Sequence, residues 1–267
     1  MYRRVPLSFV VLGAIGAAFV ALPVLGLALR APWGRIVEML SGPGARTALR
    51  LSLEVSLLAT VCSVVFGVPL AWILARGTFR GRALLRALVI LPLVLPPVVA
   101  GVGLLQALGR RGIVGSWLER FAGVQLTFTT AGAVVAATFV SIPLVVLSAE
   151  AGFRSLDPRF ERAAAVLGAK PGYTLRRVIL PMVAPQLVAG AVLAWARALG
   201  EFGATITFAG NLEGRTQTVP LAVFQTLQTD QEGAIALSLV LVVLSICVLV
   251  ALRDRITGIQ DRATGTG

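Results

Sequence analysis

Residues 51–75 read LSLEVSLLATVCSVVFGVPLAWILA, a run of 25 residues with one charged side chain, Glu54. Wound as an α-helix at 1.5 Å per residue it would reach about 37 Å, more than the roughly 30 Å hydrocarbon core of a bilayer. Five more runs share this character: Leu7–Leu29, Leu84–Leu108, Ala131–Ala149, Val183–Ile206 and Ala234–Leu252. The first follows Arg3-Arg4 and resembles a secretory leader, but its apolar stretch is longer than a signal core needs, so it reads as a membrane helix. The expectation is an all-α polytopic membrane protein with about six transmembrane helices, forming a single domain over 1–267 with its core at about 51–252.

Composition agrees. Of the 267 residues 57% are hydrophobic and 13% charged, against about 45–50% and about 25% in a soluble domain. The net charge of +12 comes almost wholly from Arg. Those Arg residues punctuate the apolar runs instead of lining one surface, so they point to retained loops, not to nucleic acid. The chain has no His, which removes imidazole acid–base chemistry, His metal ligation and a Ser-His-Asp triad. Cys62 and Cys247 each lie inside an apolar run and read as small packing residues. The one lysine, Lys170, stands between Ala169 and Pro171, so it lacks the preceding Gly and following Ser or Thr of a phosphate-binding loop. ATP hydrolysis is therefore not expected on this chain, and no enzyme activity is assigned to it.

Counting Lys and Arg on alternate sides of the runs gives the orientation. Fifteen fall on the side of Arg3, Arg4, the loop before Leu84, the loop after Ala149 and the tail with Arg253, Arg255 and Arg262; eight fall on the other. Both termini are expected in the cytoplasm of a cell carrying this multi-pass protein in its cytoplasmic membrane. Prolines interrupt two runs, at Leu91-Pro92-Leu93-Val94-Leu95-Pro96-Pro97 and Ser141-Ile142-Pro143. Each either kinks a helix for packing or breaks it beside a water-filled path.

The loop over residues 153–172 is the most informative polar stretch. Asp157 is suited to cap a short helix, Pro158 to its first turn and Gly168 to its end. The Ala-rich face between them has shallow relief into which a partner can pack. In the fifth run, Arg197 and Glu201 stand at i and i+4 and can pair. Such a pair either fixes helix register or helps to form a gate, and a bare carboxylate is a poor ligand for an anion. Gly200 and Gly203 bracket Glu201 and would permit close helix approach. Thr205, Thr207, Asn211, Gln217 and Thr218 offer uncharged donors to a passing anion, or simply build a loop. Glu54 and Glu150 lie near helix ends and read as interfacial.

Two segments carry a resemblance. Glu161-Arg162-Ala163-Ala164, Gly168-Ala169 and Ile179-Leu180-Pro181 resemble the EAA loop of ABC importer permeases. The usual Glu position falls on Arg162, with Glu161 one place earlier, so either can supply a polar contact. Arg197-Ala198-Leu199-Gly200-Glu201-Phe202-Gly203-Ala204-Thr205, followed by Asn211 and Gly214-Arg215-Thr216-Gln217-Thr218-Val219-Pro220, is similar to the molybdate permease branch. The resemblance covers about 51–252 and implies a type I ABC importer permease moving molybdate or tungstate. It further implies a homodimer, two cytoplasmic ATPase subunits that hold ATP-Mg, and an extracytoplasmic molybdate-binding protein. Glu161, Arg162, Ala163, Ala164, Gly168 and Ala169 would form the helix that couples to the ATPase, with no cofactor or metal on this chain. Arg197, Gly200, Glu201, Gly203 and Thr205 are the candidate gate or pathway residues. The alternatives are a sulfate or thiosulfate permease of the same architecture and an ion-driven secondary transporter. The second would need coupling carboxylates at mid-membrane, where only the paired Glu201 lies.

Overall fold

The computed structural model describes residues 6–263, with side chains described as far as Cys247. Arg3 and Arg4, and the side chains of Arg253, Arg255 and Arg262, lie outside the described residues. Helices follow one another as α1 (Leu7–Leu29), α2 (Ile36–Ser41), α3 (Pro43–Arg76), α4 (Arg82–Val94), α5 (Pro97–Leu108), α6 (Gly115–Ala122) and α7 (Thr130–Ser155). Then come α8 (Arg159–Val166), α9 (Pro171–Thr174), a π-helical turn (Leu175–Ile179), α10 (Leu180–Leu199), α11 (Gly203–Phe208), α12 (Val219–Thr226) and α13 (Gln231–Ala263).

Among the described residues four segments are long and apolar enough to cross a membrane: α1, α3, α7 and the continuous stretch Pro171–Leu199. The third apolar run takes the broken alternative at its prolines, and the fifth, with no proline at its break, is divided as well. Leu84–Leu108 is divided between α4 and α5. Leu95 and Pro96 both take extended ψ angles, 136° and 132°, because each precedes a proline whose ring disfavours the α conformation. Pro97 then occupies the first position of α5, where its missing N–H costs nothing. Val183–Ile206 is divided at Gly200–Phe202 between α10 and α11. Pro143, by contrast, sits buried within a continuous α7. The π-turn also has a proline cause. Pro181 has no N–H to give Arg177, and the ladder is re-formed one residue wider, with the Leu180 N–H donating to the Leu175 carbonyl.

The centre is a three-helix bundle of α3, α7 and α10. Its contacts are made where side chains are small. A Cβ on Gly67 would stand 3.2 Å from Val145, one on Gly190 2.8 Å from Ser148, and one on Gly152 3.0 Å from Gln186. Hydroxyls tie the same helices together: Ser63 to Ser141 at 2.9 Å, Ser148 to the Gln186 carbonyl at 2.7 Å, and Trp195 Nε1 to Ser56 Oγ at 2.9 Å. Below this seam Phe153, Leu74, Val146, Ala149 and Val183 form an apolar cluster. α1 has no buried residue and packs at the periphery against α13, so nearly all of its apolar surface is left for lipid.

α5 and α11 form a second close pair. A Cβ on Gly101 would lie 2.5 Å from the Thr207 Cβ, whereas one on Gly103 meets nothing within 4 Å. Gly101→Ala should therefore destabilise the protein by about 1–3 kcal/mol through overpacking. Gly103→Ala should be neutral or slightly favourable. Thermal unfolding midpoints in detergent check both, and equal midpoints for the two variants would show that the α5–α11 contact is looser than described.

Candidate functional site

The first candidate is the loop after α7. Asp157 Oδ1 accepts the Arg159 N–H at 2.8 Å and starts α8. Gly168 stops it with φ +77°, and the Gly168 and Ala169 N–H groups return to the Ala165 and Ala164 carbonyls, each at 3.0 Å. That pair of bonds is a Schellman ending, which needs a residue tolerant of the left-handed conformation. The helix so framed leaves Val166 and Leu167 each 87% exposed, beside Tyr173 and Phe160. Ala164, Leu167, Gly168, Ala169, Lys170, Tyr173 and Val178 line an open apolar groove of about 500 Å³. Ala163 is exposed, and Ala164 and Ala169 are half-buried. Apolar side chains this exposed on a short helix are a contact surface in want of a partner.

The two adjacent charges of α8 part company. Arg162 is exposed. Glu161 turns inward and meets Arg76, at the end of α3, with 2.6 Å between Oε1 and Nη2. Close by, the Glu150 carboxylate is buried and clamped by Arg86 of α4 and Arg154 of α7, the latter at 2.9 Å. Arg76, Arg86 and Glu150 are functional or structural partners that a linear reading does not single out as such. Their one sequence signal is the scarcity of acidic residues among so many Arg, since each carboxylate there must find cations.

The second candidate lies where the broken helices meet. A Cβ on Gly203 would stand 2.6 Å from Pro97 Cβ, so the start of α11 rests on the start of α5. Gly200 has no such neighbour, its nearest atom being the Ala196 carbonyl oxygen at 3.8 Å. The expectation of close approach therefore holds at Gly203 and fails at Gly200, which ends α10. Glu201 bridges the break. One carboxylate oxygen is 2.6 Å from Arg197 Nη1, and the other accepts the Ala204 N–H at 2.7 Å. The carboxylate thus ties the last turn of α10 to the first turn of α11, with its own side chain 2% exposed and that of Arg197 32%. Thr205 is buried in the packed interior.

Beyond α11 the chain folds into a compact polar loop. Thr216 Oγ1 accepts the Leu212 N–H at 2.9 Å and donates to the Gly210 carbonyl at 3.2 Å. Asn211 and Gln217 both donate to Gln225 Oε1, at 2.9 and 2.7 Å, and the Val219 N–H donates to Ser52 Oγ at 2.7 Å. Asn211 and Gln217 are thereby brought together at Gln225, the buried Thr218 hydroxyl makes no hydrogen bond, and Thr205 and Thr207 stand on α11. In the turn after α5, Arg110 donates from Nη2 and Nε to Glu119 of α6, at 2.7 and 3.0 Å. Those hydrogen bonds first, and the Glu119 charge second, raise the Arg110 pKa above its ordinary value. Among the described residues there is no group of His, Cys, Asp and Glu able to hold a metal ion.

This arrangement of broken helices around a central bundle, with a short helix projecting from one end, is the arrangement of a known family. Residues 67–264 match the family described as binding-protein-dependent transport system inner membrane component. The chain belongs to that family. It is thus an ABC transporter permease, a multi-pass membrane component of a transporter, with the type I ABC importer fold. The permease is 47% identical to the molybdenum transport system permease protein of Mycobacterium bovis, over 90% of each chain. It is 36% identical to the sulfate transport system permease protein of Escherichia coli, over 87% of this chain and 84% of that one. Its fold is similar, at a TM-score of 0.72 and 18% identity, to a chain of the bacterial alginate ABC transporter in complex with an alginate pentasaccharide-bound periplasmic protein. That match covers 98% of this chain and 96% of the other.

If Glu201 holds the break together, Glu201→Gln in the permease should cost about 1–3 kcal/mol, because Arg197 loses its charge partner while still two-thirds buried. The double variant Arg197→Met/Glu201→Gln should recover a large part of that loss. Unfolding midpoints of the three variants form the cycle, and additive losses would mean that the two charges act separately.

Proposed function

We propose that this permease carries molybdate, and its close analogue tungstate, across the cytoplasmic membrane as part of an ATP-driven importer. The observation that carries the reading is the 47% identity, over 90% of each chain, to a molybdenum transport permease, set against 36% to a sulfate permease. The Arg197–Thr205 run and the Asn211–Pro220 loop, whose likeness is to the molybdate branch, support the same choice.

On this reading two copies of the permease form the pathway. Two ATPase subunits, each holding ATP-Mg, dock on the α8 face in the cytoplasm, and both termini of the permease lie on that side. A molybdate-binding protein delivers the anion to the opposite face. Val166, Leu167 and the groove beside them receive the ATPase, with Ala163, Ala164, Gly168 and Ala169 allowing close approach. The free energy enters from the partner: closure of the ATPase dimer on ATP moves the docked helices, and the permease changes state because its contacts differ between loaded and empty ATPase. Glu201, Arg197 and Gly203 hold the junction of the broken helices at mid-membrane. Gly200, which ends α10, and Thr205, beside the break, complete the region proposed as the gate. A small divalent oxyanion passing there needs neutral donors held weakly enough to release it.

Vesicles carrying the permease with its ATPase and binding protein should take up labelled molybdate only when supplied with ATP, and excess sulfate should leave that uptake largely intact. Uptake abolished by sulfate would instead assign a sulfate-type permease of the same architecture. Absence of ATP-driven uptake of either anion would refute the substrate assignment.

A further inference from the structure

The two neighbouring charges of α8 point in different directions, and their surroundings differ as much. Successive residues of a helix are separated by about 100° around its axis, enough to put one charge against the protein and the next in solvent. Glu161 is the inward one. Its carboxylate is 2.6 Å from Arg76 Nη2, with the two side chains 33% and 25% exposed. Among the described residues this is the one ion pair joining α8 to a membrane-spanning helix. Arg76 also meets a neighbour on its own helix and the end of α7, while its Nε makes no hydrogen bond. Its guanidinium lies 5.8 Å from the centre of the Trp72 ring, and Nη2 reaches the Leu156 carbonyl at 3.5 Å. Trp72 stands edge-on to Phe153 at 5.0 Å, and Phe153 is fully buried in the cluster that α3, α7 and α10 share. Arg162 has none of this. It is exposed, four residues before the exposed Val166 and on the same face of the helix.

We infer that Glu161 and Arg76 form the internal strut through which α8 drives the membrane helices, and that Arg162 is the charge presented to the docking partner. The inference rests on the proposed ATPase docking at α8. It assigns Glu161 as a positioning residue acting through Arg76, and it requires a carboxylate on the partner surface that meets Arg162. Without the strut, α8 remains on its loop, tethered by the Asp157 turn and the Schellman ending, and the partner can still bind it. What is lost is the stiff connection to α3, so ATP hydrolysis proceeds with less movement in the membrane.

The test uses the complete complex in vesicles, with Glu161→Gln, Arg76→Gln, the exchange Glu161→Arg/Arg76→Glu, and Arg162→Glu. Glu161→Gln and Arg76→Gln should still copurify with the ATPase while moving about five- to tenfold less molybdate per ATP hydrolysed, within the range of ordinary coupling energies. The exchanged pair should restore at least half of that ratio, and Arg162→Glu should lose the ATPase. Loss of the ATPase in Glu161→Gln, or no recovery in the exchanged pair, would overturn the inference.

A second measurement separates this inference from the docking assignment. In a chain with Cys62→Ala and Cys247→Ala, a nitroxide at Val166→Cys should be slow-moving. It should be freed by Glu161→Gln and slowed again by the exchange. If the wild-type permease binds no ATPase, the docking assignment fails while the spin label still reads the strut, and a label unaffected by Glu161→Gln would refute the strut itself.

Discussion

Lipid is as apolar as leucine, so apolar helices gain little by leaving it for one another, and contact has to come from close packing and hydrogen bonds. The permease meets this constraint with small residues. Gly67, Gly152 and Gly190 let α3, α7 and α10 approach until backbone touches side chain, and serine hydroxyls then bond across the seam. Many larger apolar residues, such as those covering α1, face outward, while Phe153, Leu74 and Phe208 fill the interior.

The same solvent dictates how the chain can be interrupted. A backbone break inside a membrane exposes N–H and C=O groups that no water will reach unless protein or a cavity supplies partners. Here the two breaks lie against each other. The Pro96-Pro97 break removes donors by using prolines, and Gly203 packs directly on Pro97. At the other break the Glu201 carboxylate takes the Ala204 N–H and the Arg197 guanidinium together. A charged side chain in the hydrocarbon region is expensive when alone, but here it closes both a charge and a backbone vacancy. The break is therefore bridged by the side chain of Glu201 and not left open.

At the α8 end the governing interaction is electrostatic. Acidic residues are few, and three cations, Arg76, Arg86 and Arg154, gather round two carboxylates, Glu161 and Glu150. Glu150 fastens α4 to α7, and Glu161 fastens the projecting helix to α3. The eight-residue helix α8 thus turns Glu161 inward while Arg162 and Val166 stay exposed.

The apolar runs alone determined that the chain is a membrane protein of helices, because stretches of about 20 residues with few or no charges are best solvated by a bilayer. Composition likewise removed imidazole chemistry and a phosphate-binding loop. The start and end of α8 were legible because Asp157 and Gly168 act locally, through turn and left-handed conformations that need no distant partner. The division of the third run was half legible in Leu95-Pro96-Pro97, since a residue before proline resists the helix, but Pro143 in α7 shows that proline alone does not decide. Only the tertiary structure decided which glycine makes a contact: Gly203 meets Pro97 and Gly200 meets nothing, although both stand beside Glu201. Likewise it alone placed Arg76 against Glu161 and Arg86 against Glu150. Those pairs are separated by 85 and 64 residues, and no local rule joins charges across such a distance; the packing of α3, α4 and α7 brings them within reach.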